Sequence, residues 1–137
     1  MSRTLCNTAF VLFLLSTTGA HPQRLYVDDA GMELIVAAVE VAAEYDLYNA
    51  RCRGDLSGRR TDNLNKILLD KYGITVLQVQ DNYFPEPSYR AARERIEQGF
   101  LERLSTLGGC QAAKAAGMQR QISEQYNALT RQLQQLP

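Results

Sequence analysis

The chain has no tryptophan, a single histidine, three cysteines and four prolines in 137 residues, and neither sign of charge is in excess, with 15 basic against 15 acidic side chains. Each shortage excludes a kind of chemistry. With His21 as the only imidazole, Ser57, Ser88, Ser105 and Ser123 lack the base that usually activates a serine nucleophile. One histidine also falls short of the several converging ligands a zinc-type centre needs, so no metal or other cofactor is expected. The glycines at 54, 58, 108 and 109 match neither the phosphate-binding loop nor the dinucleotide fingerprint. A balanced charge gives no basic stripe to displace counterions from nucleic acid, and no attraction to an anionic membrane surface.

Paired carboxylates remain the one route to hydrolysis without histidine. Asp28 with Asp29, and Glu94 with Glu97, are adjacent in sequence only. Arg90 to Glu94 and Arg93 to Glu97 have the spacing of salt-bridged pairs on a solvated helix face, and that reading is preferred. The chain is therefore expected not to be an enzyme.

Long apolar runs are also scarce, and the one present is informative. Arg3 precedes the run Ala9 to Leu15, and small residues Ser16 to Ala20 follow it, which is the order of a cleavable signal peptide. The run is too short for the ~20 residues of a stable membrane span, so no membrane insertion is expected after cleavage. Thr18 and Ala20 fit a small-x-small site, which makes residues 1–20 the signal and His21 the start of one domain over 21–137. Cys6 precedes the run and cannot be a lipidation site behind it. The expected compartment is a bacterial periplasm or the exterior.

Loss of Cys6 leaves Cys52 and Cys110, which an oxidising compartment pairs. The closed loop of about 58 residues suggests roughly 4 kcal/mol of stabilisation from chain entropy. No Cys-x-x-Cys spacing suggests a redox role, and the bond is expected to be structural.

What the chain does have is helical periodicity. Leu34, Ala38, Val41, Tyr45, Tyr48 and Cys52 recur at spacings of four and three, with Ile35, Val39 and Ala42 on a neighbouring face. This predicts a first, central helix over Gly31 to Cys52, capped by Asp28 or Asp29. A turn at Arg53 to Gly58 leads to a second helix over Arg59 to Tyr72, carrying Leu64, Ile67, Leu68 and Lys71 on one face and an Asp62–Lys66 pair, with Gly73 as its left-handed cap. Ile74 to Phe84 has the valines and threonine of a strand but no partner strand. Thr75 with Gln78 fits a capping box and Ile74 can staple to Val79, so a short helix is predicted, ended by Pro85. A further helix carries Tyr89, Ala92, Ile96, Phe100, Leu104 and Leu107 and stops at Gly108 and Gly109. A last one runs from near Cys110 towards Leu136 with Met118, Ile122, Leu129 and Leu133 in register. The fold class is all-α: a small four- to five-helix bundle whose disulfide links the end of the first helix to the start of the last.

Two surface segments compete as sites. Arg53-Gly54-Asp55 spells an adhesion tripeptide, but glycine and aspartate are what a turn needs in any case, so it is set aside. Asp81 to Tyr89 (DNYFPEPSY) gathers Tyr83, Phe84 and Tyr89 on a proline-stiffened connector, and aromatics on a stiff loop make good anchors. The competing reading has these rings folding back on the core. The seven tyrosines are expected half-buried around the bundle. The leading functional expectation is a non-enzymatic binding protein acting on another exported or envelope protein, as inhibitor, immunity factor, chaperone or complex subunit. The alternative is a carrier holding a small apolar ligand between helices.

Overall fold

The computed structural model describes residues 27–137. The predicted signal peptide, Cys6 and His21 lie outside the described residues. Among the described residues there are six helices and no strand: α1 (Asp29–Arg53), α2 (Arg59–Tyr72), α3 (Val76–Asn82), α4 (Tyr89–Leu107), α5 (Cys110–Ala115) and α6 (Met118–Gln135). The protein is an all-α bundle, and α1 packs against α2, α3, α4 and α6.

The central place of α1 follows from its composition. Ile35, Ala38, Val39, Val41, Ala42, Tyr45 and Tyr48 are all buried, so two adjoining apolar stripes face inward at once. Around them Leu64 and Leu68 of α2, Val79 of α3, Phe100 of α4 and Leu133 of α6 are fully enclosed. Each such side chain contributes roughly 1.5–3 kcal/mol relative to its exposed state. The helix begins where the Asp28 carboxylate accepts the Gly31 N–H at 2.8 Å.

Neighbouring helices supply the caps that local sequence lacks. Gly58 precedes α2 and has no side chain to cap it, yet the Asp46 carboxylate on α1 accepts the N–H groups of Arg60 and Thr61 at 3.0 and 2.8 Å. At the other pole the Lys71 ammonium donates to the carbonyls of Leu133, Gln134 and Leu136, placing positive charge on the C-terminus of α6. The segment from Thr75 is helical. Its capping box is formed, and the Asn65 amide oxygen accepts the Val76 N–H at 2.9 Å. Propensity for strand yields here because a single strand would leave its main-chain groups unpaired.

Two features differ from expectation. The predicted last helix is two helices, so Cys110 opens the penultimate one: Gly117 takes a left-handed φ of 75° and ends α5, and a Cβ there would lie 3.2 Å from the Arg120 guanidinium. The break lets Met118, Ile122, Tyr126 and Leu133 all turn inward. The tyrosines are also more deeply placed than expected. Tyr45, Tyr48, Tyr72 and Tyr126 are buried, Tyr89 is half-buried and only Tyr83 among the described ones is exposed. Two of the buried hydroxyls find main-chain partners: Tyr72 donates to the Leu133 carbonyl at 2.5 Å and Tyr126 to the Arg60 carbonyl at 3.1 Å. The Arg60 guanidinium lies over both Tyr45 and Tyr126, 4.5 and 5.7 Å from their ring centres.

These phenols give the fold an alkaline limit. Burial pushes Tyr72 and Tyr126 above the ordinary value of 10.0. Because the folded state holds them neutral, their contribution is complete below about pH 10 and is lost as pH rises through the folded-state values. Urea midpoints measured from pH 8 to 11.5 should be flat and then fall, and the fall should be shallower in a Tyr72→Phe, Tyr126→Phe double variant.

Candidate functional site

The disulfide is as expected, joining Cys52 at the end of α1 to Cys110 at the start of α5 with 5.3 Å between their Cα atoms. The helix-surface ion pairs are not. Among the described residues, the pairs within 4 Å are Arg95 with Glu40 and Glu86, and Arg103 with Glu44, so the arginines of α4 reach across to α1 and to the connector. The i,i+4 pairs predicted for Arg90, Arg93 and Asp62 do not close, in keeping with the small energy such exposed pairs offer.

The aromatic connector is dismantled as a single anchor. Phe84 is 7% exposed and belongs to the core, Tyr89 is half-buried at the start of α4, and Tyr83 alone points outward at 47%. The connector is held firmly: Asp81 accepts the Tyr89 N–H at 2.8 Å, Glu86 pairs with Arg95, and the Arg95 guanidinium sits 5.8 Å from the Phe84 ring centre. The hydrogen bond to Glu40, then that to Glu86, keeps Arg95 charged by raising its pKa. Tyr83 is thus a fixed projection on a braced loop.

Tyr83 forms one wall of a shallow groove whose floor is Val27, Met32, Val36 and Ala37, with Asp29, Glu33 and Glu40 at its edge. A second open groove of about 380 Å³ continues along the same helix, floored by Ala43, Leu47 and Ala50 of α1 and Ile96 of α4. Its rim carries Asp46, Asp55, Asp62 and Glu97, with Arg93 the one cation among the lining residues. Leu56, in the loop between α1 and α2, lines this groove and is 84% exposed, the most open large apolar side chain described. Hydrogen bonds from Ser57, first from its side chain and then from its main-chain N–H, hold the Asp55 carboxyl below the ordinary value.

Both grooves share one stripe of α1. Met32, Val36, Glu40, Ala43, Leu47 and Ala50 follow at spacings of four, four, three, four and three, and every one of them is half-buried. This third stripe was available in the sequence at the same period as the two buried ones, but nothing in the spacing says which stripe stays open. The lining residues of the two grooves include seven carboxylates and one arginine, and one of the seven, Glu40, is paired with Arg95. The face is acidic in a chain whose total charge is balanced.

The proposed hydrolytic pairs are not assembled. Asp28 caps α1, and of Glu94 and Glu97 only the latter lines a groove. Ser88 caps α4 by accepting the Ala91 N–H, and Ser57 is committed to Asp55. Gly54 of the Arg-Gly-Asp triplet is the left-handed cap of α1, the structural duty a turn requires. Among the described residues no group of three or more metal-ligating side chains is present, and no helix is long and apolar enough to cross a membrane. No protein family, curated protein or solved structure matches the chain.

Proposed function

We propose that the protein is an exported, non-enzymatic binding protein that docks a protein partner along the open face of α1, the partner presenting apolar side chains within a basic surface. The observation that carries this reading is the half-buried stripe from Met32 to Ala50, an apolar floor under two grooves whose rims hold seven carboxylates. Exposed Tyr83 stands at one end and Leu56 at the other, each offering a large apolar side chain that a partner can cover. The acidic rim favours a basic partner by steering its approach and excluding acidic competitors. Export is supported by the Cys52–Cys110 bond, which persists in oxidising compartments, and by the signal-like residues 1–20. The bundle axis is filled by Tyr48, Phe100, Ile35, Leu64 and Leu133, so the carrier alternative draws no support from the packing.

The test is crosslinking of the tagged protein in its native host with Val36→Lys, Leu47→Lys and Leu69→Lys variants in parallel. One partner should be recovered with the native chain and lost at least tenfold with the first two variants, because a lysine on the floor both blocks the groove and repels a basic surface. Leu69, exposed on α2 away from both grooves, serves as the control and should retain the partner. Equal recovery across all three variants, or an extracted apolar molecule with no protein partner, would refute the assignment.

A further inference from the structure

Val27 joins the groove beside Tyr83 to the chain that precedes it. It lines that groove together with Met32, Val36 and Ala37. Asp28 is the N-terminal cap of α1, so Val27 and Met32 occupy the two positions whose apolar side chains meet across a helix start and fix the angle at which the chain enters. Gly31 permits the close approach, since a Cβ there would lie 2.8 Å from Cγ1 of Val27. The chain therefore reaches α1 at the groove itself, and residues 21–26, which lie outside the described ones, are tethered at its end.

We propose that the Tyr83 groove is the seat of the chain's own segment His21 to Tyr26, which lies back along α1 with its apolar side chains on the floor and Arg24 against the acidic edge. Composition, charge and reach select this occupant. The segment, His-Pro-Gln-Arg-Leu-Tyr, brings Leu25 and Tyr26 to an apolar floor and holds no carboxylate. At the groove's edge Glu40 is paired with Arg95, whereas Asp29 and Glu33 make no ion pair with a described residue. Arg24 supplies the positive charge that these two lack, and signal cleavage after Ala20 would add that of an α-amino group. Met32 to Glu40 spans about 12 Å of helix, and an extended segment of this length covers about 20 Å. Tethered at the edge of its own site, the segment is present at an effective concentration in the millimolar range, so a weak contact suffices to seat it. A second copy of the protein would bring the same carboxylates to the groove and be repelled. The seat goes beyond the docking reading and does not depend on it. A partner that covers the whole stripe has to displace the segment, which leaves the groove at Leu47 as the place of first contact.

The experiment is isotope-edited NMR on the exported, processed and disulfide-intact protein. Nuclear Overhauser contacts should join the Leu25 methyls or the Tyr26 ring to the methyls of Val36 and Ala37. An Arg24→Glu, Leu25→Ser double variant, altered only outside the six helices, should lose these contacts and shift the Met32 and Val36 methyl signals, with circular dichroism unchanged. The free peptide acetyl-Gln-Arg-Leu-Tyr-amide should then bind the double variant, read at the Val36 methyls, at least fivefold tighter than the native chain, because the native segment competes for the same groove. Absence of the contacts, contacts to a different face of the bundle, identical Met32 and Val36 signals in the two chains, or equal peptide affinity for both would each overturn the seat. None of these readouts uses the partner, so the seat can fail while Val36→Lys still abolishes capture, and it can hold where no partner is captured at all.

Discussion

Phe84→Ala should lower the unfolding free energy by about 3–5 kcal/mol, whereas Tyr83→Ala, one residue earlier, should change it by less than about 0.5 kcal/mol. The two rings follow one another on the same connector and differ only in direction. Phe84 is enclosed, touching the core beneath and the Arg95 guanidinium above, so truncation removes its transfer energy and leaves a cavity that the braced connector cannot collapse into. Tyr83 has half its surface in solvent and lies on the rim of the Val36 groove. Its removal should instead reduce partner recovery with the helical signal and the urea midpoint intact. Denaturation by urea followed by circular dichroism separates the two. A loss of several kcal/mol in Tyr83→Ala would show that its ring is part of the core and withdraw it from the docking face. Any partner-binding defect in Phe84→Ala has to be read against its stability, since a partly unfolded population weakens binding without any contact being lost.

That contrast marks where sequence reasoning ends. Helix existence is written in local signals: the Leu34-to-Cys52 spacing, the Thr75–Gln78 box and Gly73 each specify an element without reference to the rest of the chain, and each is found in place. The α5–α6 break was also local, since Gly117 interrupts a helical pattern, but an isolated glycine inside such a pattern is tolerated often enough that the register of Met118 and Ile122 outweighs it. Burial of the tyrosines was not local at all. Tyr126 depends on Arg60 and Tyr45 from two other helices, and no spacing rule links positions 45, 60 and 126. The same holds for the open face of α1. Three apolar stripes on α1 have equal periodicity, and which of them remains open is decided by where α2, α3, α4 and α6 settle. Aromatic content drew attention to Tyr83, Phe84 and Tyr89 together. It could not say that Phe84 turns inward while Tyr83 joins a groove with Met32 and Val36.

The second large effect concerns the disulfide. A Cys52→Ala, Cys110→Ala double variant should lose about 4 kcal/mol, the chain-entropy value for a loop of 58 residues, with a fall in unfolding temperature on the order of 15 °C. The loss should also be uneven. The six-residue α5 lies between Gly109 and the left-handed Gly117, is far shorter than a self-supporting helix, and buries only Ala113 fully. Its attachment to α1 therefore depends on the Cys110 sulfur more than on packing. Hydrogen exchange in the variant should accelerate first over Cys110 to Ala116, while α1 residues such as Val39 and Ala42, enclosed by helices on several sides, keep protection close to the global limit. The open face of α1 is built by Met32 to Ala50 with α2, α3 and α4 and includes no residue of α5, so groove binding should persist in the folded fraction of the variant. Uniform loss of protection across all six helices would mean that the bundle unfolds as one unit and that the bond acts on the whole unfolded chain. An unchanged unfolding temperature would mean that the link contributes nothing the packing of α6 on α1 does not already supply. Separating these outcomes assigns the disulfide either to global stability or to holding one short helix in place, and the burial pattern favours both effects with α5 failing first.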